Sequence, residues 1–282
     1  MPASLYVVST PIGNLDDITL RALKTLKAVG LVAAEDTRRT GNLLRHFGID
    51  TPSTSFHQHN ERQKLPQLIQ KLVDGTDIAL VSDAGTPLVA DPGQRLIAAA
   101  IEKAIPVVPI PGASAVLAAL TASGLPADAF VFAGFVPSKS NTRKRWFQWL
   151  DAEARVVVFF EAPHRIQKTL LAIGKLLVDR PIIICRELTK LHEQVVRTRT
   201  SQLINTDIFP KGEFTVVLGS HPAVNDEQQH TEDKDIIQCF YHLTNNEGAS
   251  RRAALTQTAH KFGLSTKYVY RMLERLKSAI PS

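Results

Sequence analysis

Short apolar blocks alternate with stretches of helical period along most of this chain. In the first 115 residues three of those blocks run straight into turns of small residues. They are Leu5-Tyr6-Val7-Val8-Ser9-Thr10-Pro11-Ile12-Gly13-Asn14, Ile78-Ala79-Leu80-Val81-Ser82-Asp83-Ala84-Gly85-Thr86-Pro87 and Val107-Val108-Pro109-Ile110-Pro111-Gly112-Ala113-Ser114-Ala115. Strand, small turn, then helix is how an open parallel sheet builds a ligand crevice at its carboxyl edge. Three turns of matching chemistry predict one crevice, walled largely by backbone. Between them, Asp16–Gly30 reads as a helix, with Ile18, Leu20, Leu23, Leu26 and Val29 in phase and a closing glycine. Leu31–Ala34 reads as a strand and Thr40–Phe47 as a helix. Arg62–Val73 carries Leu65, Leu68, Ile69 and Leu72 on one helical face, and Gln94–Lys103 and Ala113–Ser123 complete the helices. This alternation predicts a mostly parallel sheet with both faces covered.

The pattern divides the chain into an N-terminal α/β domain over 1–118 and a second α/β domain over 119–222. The second has strands at Phe130–Phe135, Val156–Phe160, Ile182–Arg186 and Phe214–Leu218, and helices at Ser140–Leu150 and Arg165–Leu177. Residues 223–235 are polar and without period, which predicts a linker. The tail, 236–282, is expected to be helical. Ala259, Gly263 and Val269 stand at helix-turn-helix spacing: a small contact, a sharp turn and a packing residue, with Ser265 available as a cap. Arg251, Arg252, Lys261, Lys267, Arg271, Arg275 and Lys277 surround them; an ordinary helical hairpin is the other reading. The expected fold class is therefore α/β, two domains with a cleft between them, plus a small helix-turn-helix-like segment.

The chain has 282 residues, 44% of them hydrophobic, and a formal net charge of +6. A basic surplus suits a polyanionic partner such as nucleic acid, although many basic proteins bind none. The two cysteines, Cys185 and Cys239, form no CxxC pair, which argues against a zinc ribbon or redox dithiol. Met1-Pro2-Ala3-Ser4 lacks the basic region and apolar stretch of a signal peptide, and no apolar run approaches the ~20 residues a membrane span needs. A cytoplasmic protein is expected. The first turn is not GxGxxG and no P-loop lysine pattern occurs. Backbone amides and small side chains suit instead a base, a ribose and a zwitterionic amino acid.

Leu5–Asn14, Ala34-Glu35-Asp36-Thr37-Arg38, Val81–Gly93, Pro109–Ala115, Ala133-Gly134-Phe135, Glu161-Ala162-Pro163-His164-Arg165 and Gly212-Glu213-Phe214-Thr215 together resemble the tetrapyrrole-methylase superfamily, the class III S-adenosylmethionine methyltransferases. The resemblance covers roughly residues 4–220. It is strongest to the branch that 2′-O-methylates a cytidine ribose in 16S ribosomal RNA of the small subunit. It implies S-adenosylmethionine as cofactor, held by Pro11, Asp83, Gly85, Val89, Ser114, Ala115, Ala162, Leu188, Phe214 and Thr215. It also implies a homodimer. Tetrapyrrole-modifying members usually carry a Gly-x-Gly-x-Gly-Asp first loop; here Ser9-Thr10-Pro11-Ile12-Gly13-Asn14 stands there, which argues against a tetrapyrrole substrate.

Methyl transfer from a sulfonium is an in-line displacement that needs alignment, exclusion of water and help for a weak hydroxyl nucleophile. Three clusters offer that help. Glu35 or Asp36 could take a proton, with Arg38 and Arg39 on phosphate; a helix cap with surface ion pairs is the alternative. Phe56-His57-Gln58-His59-Asn60-Glu61 is a polar loop with a His-x-His but no third metal ligand, so no metal is expected. Glu161, His164 and Arg165, with Glu187 and Lys190, form the third cluster; capping plus an ion pair to Glu187 is its alternative. Catalytic candidates are thus Glu35, Asp36 and Glu161. RNA would be gripped by Arg38, Arg39, Lys139, Arg143, Lys144, Arg145 and Arg165, with Trp146 and Trp149 interleaved, although Trp146, Phe147 and Leu150 also lie at core spacing. Two rival functions remain open: methylation of a small substrate such as a tetrapyrrole, and a non-enzymatic helix-turn-helix regulator.

Overall fold

The apolar blocks of the first 110 residues all become strands of one sheet. In this computed structural model, residues 3–206, 208–221, 226–246, 248–262, 266, 269, 270 and 273 are described. The strands are β1 (Leu5–Val8), β2 (Leu31–Ala34), β3 (Ser53–Ser55), β4 (Ile78–Val81) and β5 (Val107–Ile110), in the order β3-β2-β4-β1-β5. Every pairing is parallel. Successive side chains of a strand point to opposite faces, and both faces here are apolar. Ile78 and Leu80 meet Leu68, Leu72 and Leu96 on one side; Ala79 and Val81 meet Ala22, Leu26 and Leu44 on the other. The covering helices are α1 (Leu20–Ala28), α2 (Thr37–His46), α3 (Glu61–Val73) and α4 (Gln94–Glu102).

Helix starts follow capping chemistry rather than periodicity. Asp16 and Asp17 form a short 3-10 turn under Asn14, and α1 begins only after Thr19, whose hydroxyl accepts from the Ala22 N–H at 3.1 Å. α2 starts three residues earlier than its apolar pattern predicts because Asp36 caps it.

The next helix, α5 (Ala115–Ser123), has no polar face, and the reason is its position. Its Val116, Ala119 and Leu120 pack against Val156, Val158, Ile183, Cys185 and Val217 of a second sheet. That sheet contains β6 (Phe130–Phe135), β7 (Val156–Glu161), β8 (Pro181–Arg186), β9 (Gln194–Arg199) and β10 (Phe214–Leu218), ordered β6-β7-β10-β8-β9. Only β6–β7 is parallel. Its other face carries α6 (Ser140–Ala152) and α7 (Pro163–Leu176), with Phe147, Leu150, Ile166, Leu170 and Ile173 over Val157, Phe159, Ile184 and Val216. Proline at the first turn starts α7 two residues before the expected Arg165. Arg180 is wholly buried, yet its guanidinium donates to the carbonyls of Gly219 (2.8 Å), Leu150 (3.0 Å) and Glu153 (3.1 Å). It thus ties the end of α6 to one end of the sheet, where β10 finishes and β8 begins.

Met1–His221 is one compact unit and Pro222–Ser282 another. In the second, α8 (Asp226–Asn245) overturns the expected linker: residues 226–235 are helical. Glutamine, glutamate and acidic N-terminal residues sustain a helix without an apolar period to reveal it. α9 (Arg251–Lys261) follows, capped by Ser250. Ala259 and Val269 are buried together with Ile236, Phe240, Ala254 and Leu273. Gly263, Ser265, Lys267, Arg271, Arg275 and Lys277 lie outside the described residues. No helix among the described residues is long and apolar enough to cross a membrane.

Candidate active site

The three turns lock onto one another. Thr10 and Gly85 exchange backbone hydrogen bonds (2.9 and 3.0 Å), the Ser9 and Thr86 hydroxyls lie 2.9 Å apart, and the Thr86 hydroxyl reaches the Ala113 carbonyl. Gly112 sits so close to β1 that an added Cβ would stand 2.9 Å from the Ser9 Cβ. The second turn is strained: Leu88 and Ala90 take positive φ of 76° and 69°. Such strain persists where packing over-determines it, often at ligand sites.

Beyond these turns opens a cleft of about 400 Å³, between the carboxyl edge of the first sheet and the β7–β10 corner of the second. Asp83, Gly85, Val89, Ser114, Ala115, Ala162, Leu188, Phe214 and Thr215 all line it. Pro11 does not. It lines a separate depression beside the cleft, because the first turn folds outward after Thr10 and presents Ile12 to the cleft instead. Gly13 then abuts the second lobe, where an added Cβ would stand 2.8 Å from Thr189 Oγ1 and 3.0 Å from the Leu188 carbonyl. Phe135, Phe160 and Phe214 form an aromatic wall, with Phe135 54% exposed.

The candidate carboxylates separate sharply. Glu35 lines the cleft, and its Oε2 accepts the Asp83 N–H at 3.3 Å. Burial pushes its pKa up. Asp36 is a helix cap: it accepts from the Arg38 N–H (2.9 Å) and pairs with the Arg38 guanidinium (2.7 Å), which holds its carboxyl well below the usual range. It does not line the cleft, so the expectation that it serves as a base fails. Glu161 touches the cleft, but its side chain is 0% exposed and both oxygens are engaged. Oε1 takes Arg165 (2.5 Å) and the Ala162 N–H (2.8 Å); Oε2 takes the Thr169 hydroxyl (2.5 Å), with Arg143 at 3.7 Å. A carboxylate so saturated has no lone pair for substrate.

The same network corrects two RNA assignments. Arg143 and Arg165 are mostly buried and committed to Glu161, and Arg143 also donates to Thr169 at 2.7 Å. Arg165 pairs with Glu161 rather than Glu187, which instead accepts from Lys190 (2.9 Å) and the Glu213 N–H (2.9 Å). Lys139, Lys144 and Arg145 are exposed, as are Arg38 (88%) and Arg39. Phe147 and Leu150 are core, Trp146 packs against that core, and Trp149 is exposed. His57 and His59 stand 6.0 Å apart, and among the described residues no group of His, Cys, Asp or Glu is arranged to hold a metal.

One cleft residue escaped the sequence reading. Asp91 lines the cleft, and burial raises its pKa to about 6, with Glu35 and Asp83 adding repulsion. Asp91-Pro92-Gly93 reads as plain turn chemistry; only the packing of Gly93 against Leu80 and Leu88 takes it inside. Asp91 thus joins Glu35, Asp83, Glu161 and Glu213 as carboxyls of a pocket lined otherwise mainly by small, aliphatic and aromatic residues. That donor set fits a sulfonium nucleoside with an amino-acid end: negative potential for its cations, aromatic and small residues for its base.

Residues 4–204 match the family model of the Tetrapyrrole (Corrin/Porphyrin) Methylases. The chain belongs to this family. It is 43% identical to "Ribosomal RNA small subunit methyltransferase I" of Synechocystis sp. over 97% of its own length and 98% of that protein's. Proteins of the same name from Mesorhizobium japonicum (46% identity, 97% and 92% coverage) and Escherichia coli O157:H7 (41%, 94% and 93%) are similar along their full lengths too. Among solved structures it shares its fold with diphthine synthase (TM-score 0.62, 19% identity, 77% and 90% coverage) and with uroporphyrin-III-C-methyltransferase of Thermus thermophilus (TM-score 0.54, 20% identity, 82% and 98% coverage). The chain is a methyltransferase dependent on S-adenosylmethionine.

Proposed function

We propose that this protein methylates the ribose 2′-hydroxyl of a cytidine in 16S ribosomal RNA of the small subunit. The observation that carries the reading is full-length similarity, above 40% identity, to proteins named for small-subunit ribosomal RNA methylation. The exposed cations Arg39, Lys139, Lys144 and Arg145 suit a phosphate backbone and give little reason for a tetrapyrrole. A purely regulatory role sits poorly with relatives that are named methyltransferases and include the tail. The substrate implies action in the cytoplasm. The family resemblance supports a homodimer, and a division of the two α/β lobes near residue 118.

S-adenosylmethionine, when bound, supplies a methyl group made electrophilic by its sulfonium. The backbone at Gly85, Ser114 and Ala115 and the side chains of Val89, Leu188 and Phe214 hold the donor. Asp83 and Asp91 supply the negative potential that a sulfonium or ammonium selects. Glu35 takes the proton from the 2′ oxygen: its Oε2 is fixed by the Asp83 N–H, which leaves Oε1 to accept. A burial-raised pKa makes a carboxylate a better base. Phe135 and Phe160 keep water from the reacting atoms.

The test uses labelled S-adenosylmethionine and small subunits lacking their native modifications, with label mapped by nuclease digestion. The reading predicts one 2′-O-methylcytidine. Label on a base, or only on a small molecule, contradicts it.

A further inference from the structure

Beside the cleft lies a second depression of about 280 Å³, which shares only Arg39 and Asp83 with it. One face of α2 forms its wall: Arg39, Asn42, Leu43 and His46 recur at the three- and four-residue spacing that aligns side chains on a helix. Pro11 and Leu15 from the first turn lie opposite. Arg39 and Asp83 line both hollows and face each other across 3.5 Å, so they are the partition between them. Glu35 is bonded to Asp83 at that same partition.

We propose that this depression is the subsite for the methyl acceptor, an extruded pyrimidine nucleotide; this rests on the function proposed above. A donor in one hollow and an acceptor in the other can meet only at their shared wall, and the free oxygen of Glu35 belongs to a residue fixed there. The volume falls just below the range of drug-sized ligand pockets, which begins at about 300 Å³, and so suits something no larger than a single nucleoside. Extrusion of the target is required, because a ribose inside a stacked helix cannot enter a cleft. Leu15 and Leu43 offer apolar contacts to a flat base. Asn42 offers a directional one: its Oδ1 accepts from Arg45 Nη1 at 3.0 Å, which orients the amide. Its Nδ2 has no protein partner among the described residues and is free to donate. A donor there matches the unprotonated N3 of cytosine and clashes with the N3–H of uracil. Arg39 and His46 supply donors for the adjoining phosphate.

Two measurements decide this. The first compares Asn42→Ala with wild type. Asn42 is exposed, so folding should survive, which a thermal melt checks. The expected result is S-adenosylmethionine affinity within twofold and a methyl-transfer kcat/KM on small subunits lowered about tenfold, the loss of one base-directed hydrogen bond. Wild-type transfer, or a parallel loss of donor affinity, overturns the subsite. The second is an NMR titration of wild-type protein, saturated with S-adenosylhomocysteine, with cytidine and uridine 5′-monophosphates. Leu15 and Leu43 methyl signals should shift with the cytidine nucleotide and less with the uridine one; no shift, or equal shifts, overturns the proposal. If wild type labels no ribosomal RNA, the function reading fails on its own, and the titration still decides the subsite. If wild type labels RNA and the variant labels it equally, only the subsite falls.

Discussion

β2 and β7 both deliver a glutamate to the same cleft, and their surroundings send the two in opposite directions. Glu35 follows a strand of a wholly parallel sheet, receives one long backbone hydrogen bond, and faces Asp83 and Asp91. Glu161 ends a strand of the mixed sheet and is enclosed by two arginines, a threonine and a backbone N–H. One carboxylate keeps an oxygen without a protein partner among the described residues and a pKa raised by burial; the other is ion-paired and hydrogen-bonded until it is part of the scaffold. Polar residues at strand ends are therefore not equivalent, even within one pocket. What distinguishes them is whether a counter-charge arrives from a neighbouring helix, as Arg143 does from α6 and Arg165 from α7.

The sharpest way to break this contrast is Glu161→Ala. It leaves two mostly buried guanidinium groups without their counter-charge, and stability should fall by about 3 kcal/mol, read by urea unfolding. A loss of activity with unchanged stability would instead make Glu161 a catalytic residue. A smaller effect is expected of Gly13→Ala, where the new methyl group meets Thr189 and the Leu188 carbonyl across the lobes. Overpacking of this kind costs about 1–3 kcal/mol, and affinity for S-adenosylmethionine should weaken in calorimetry because Leu188 lines the cleft.

The smallest effect concerns Asp91, and its sign is fixed by linkage. Its native pKa, about 6, lies above the ordinary 3.8. Between those values the native state holds a proton that the unfolded chain has released, so stability present below pH 4 is lost as pH rises through 6. Asp91→Asn removes that loss and should stabilise the free protein by about 1–2 kcal/mol at pH 7.5, with no gain at pH 4. Thermal melts at the two pH values check it. The same substitution should weaken S-adenosylmethionine more than S-adenosylhomocysteine, since only the former carries the sulfonium charge.

Much of this architecture was legible in the sequence. β4, β7 and β10 fall on the apolar blocks, because buried strands leave uninterrupted runs of branched and aromatic residues. β3 was hidden because Ser53-Thr54-Ser55 contains no apolar residue, and β9 because Gln194-Val195-Val196-Arg197-Thr198-Arg199 is a half-exposed edge. The turns that wall the cleft could be read because Gly and Ala announce close backbone approach. The roles of Glu35, Asp36 and Glu161 could not. Each sits at the carboxyl end of a strand, and their difference lies in partners 48, 2 and 4 to 18 residues distant, respectively. Arg143 and Arg165 were misassigned for the same reason: an arginine beside exposed lysines reads as surface until its carboxylate is located.

The central claim is that Glu35, and not Glu161, handles the proton. Single-turnover methyl transfer to small subunits by Glu35→Gln, followed from pH 5 to pH 9 at saturating S-adenosylmethionine, tests it directly. The account predicts a rate lowered about 10²-fold at neutral pH, loss of the acid limb that wild type shows as its carboxylate protonates, and unchanged affinity for the methyl donor. Transfer at the wild-type rate with the acid limb intact would contradict it.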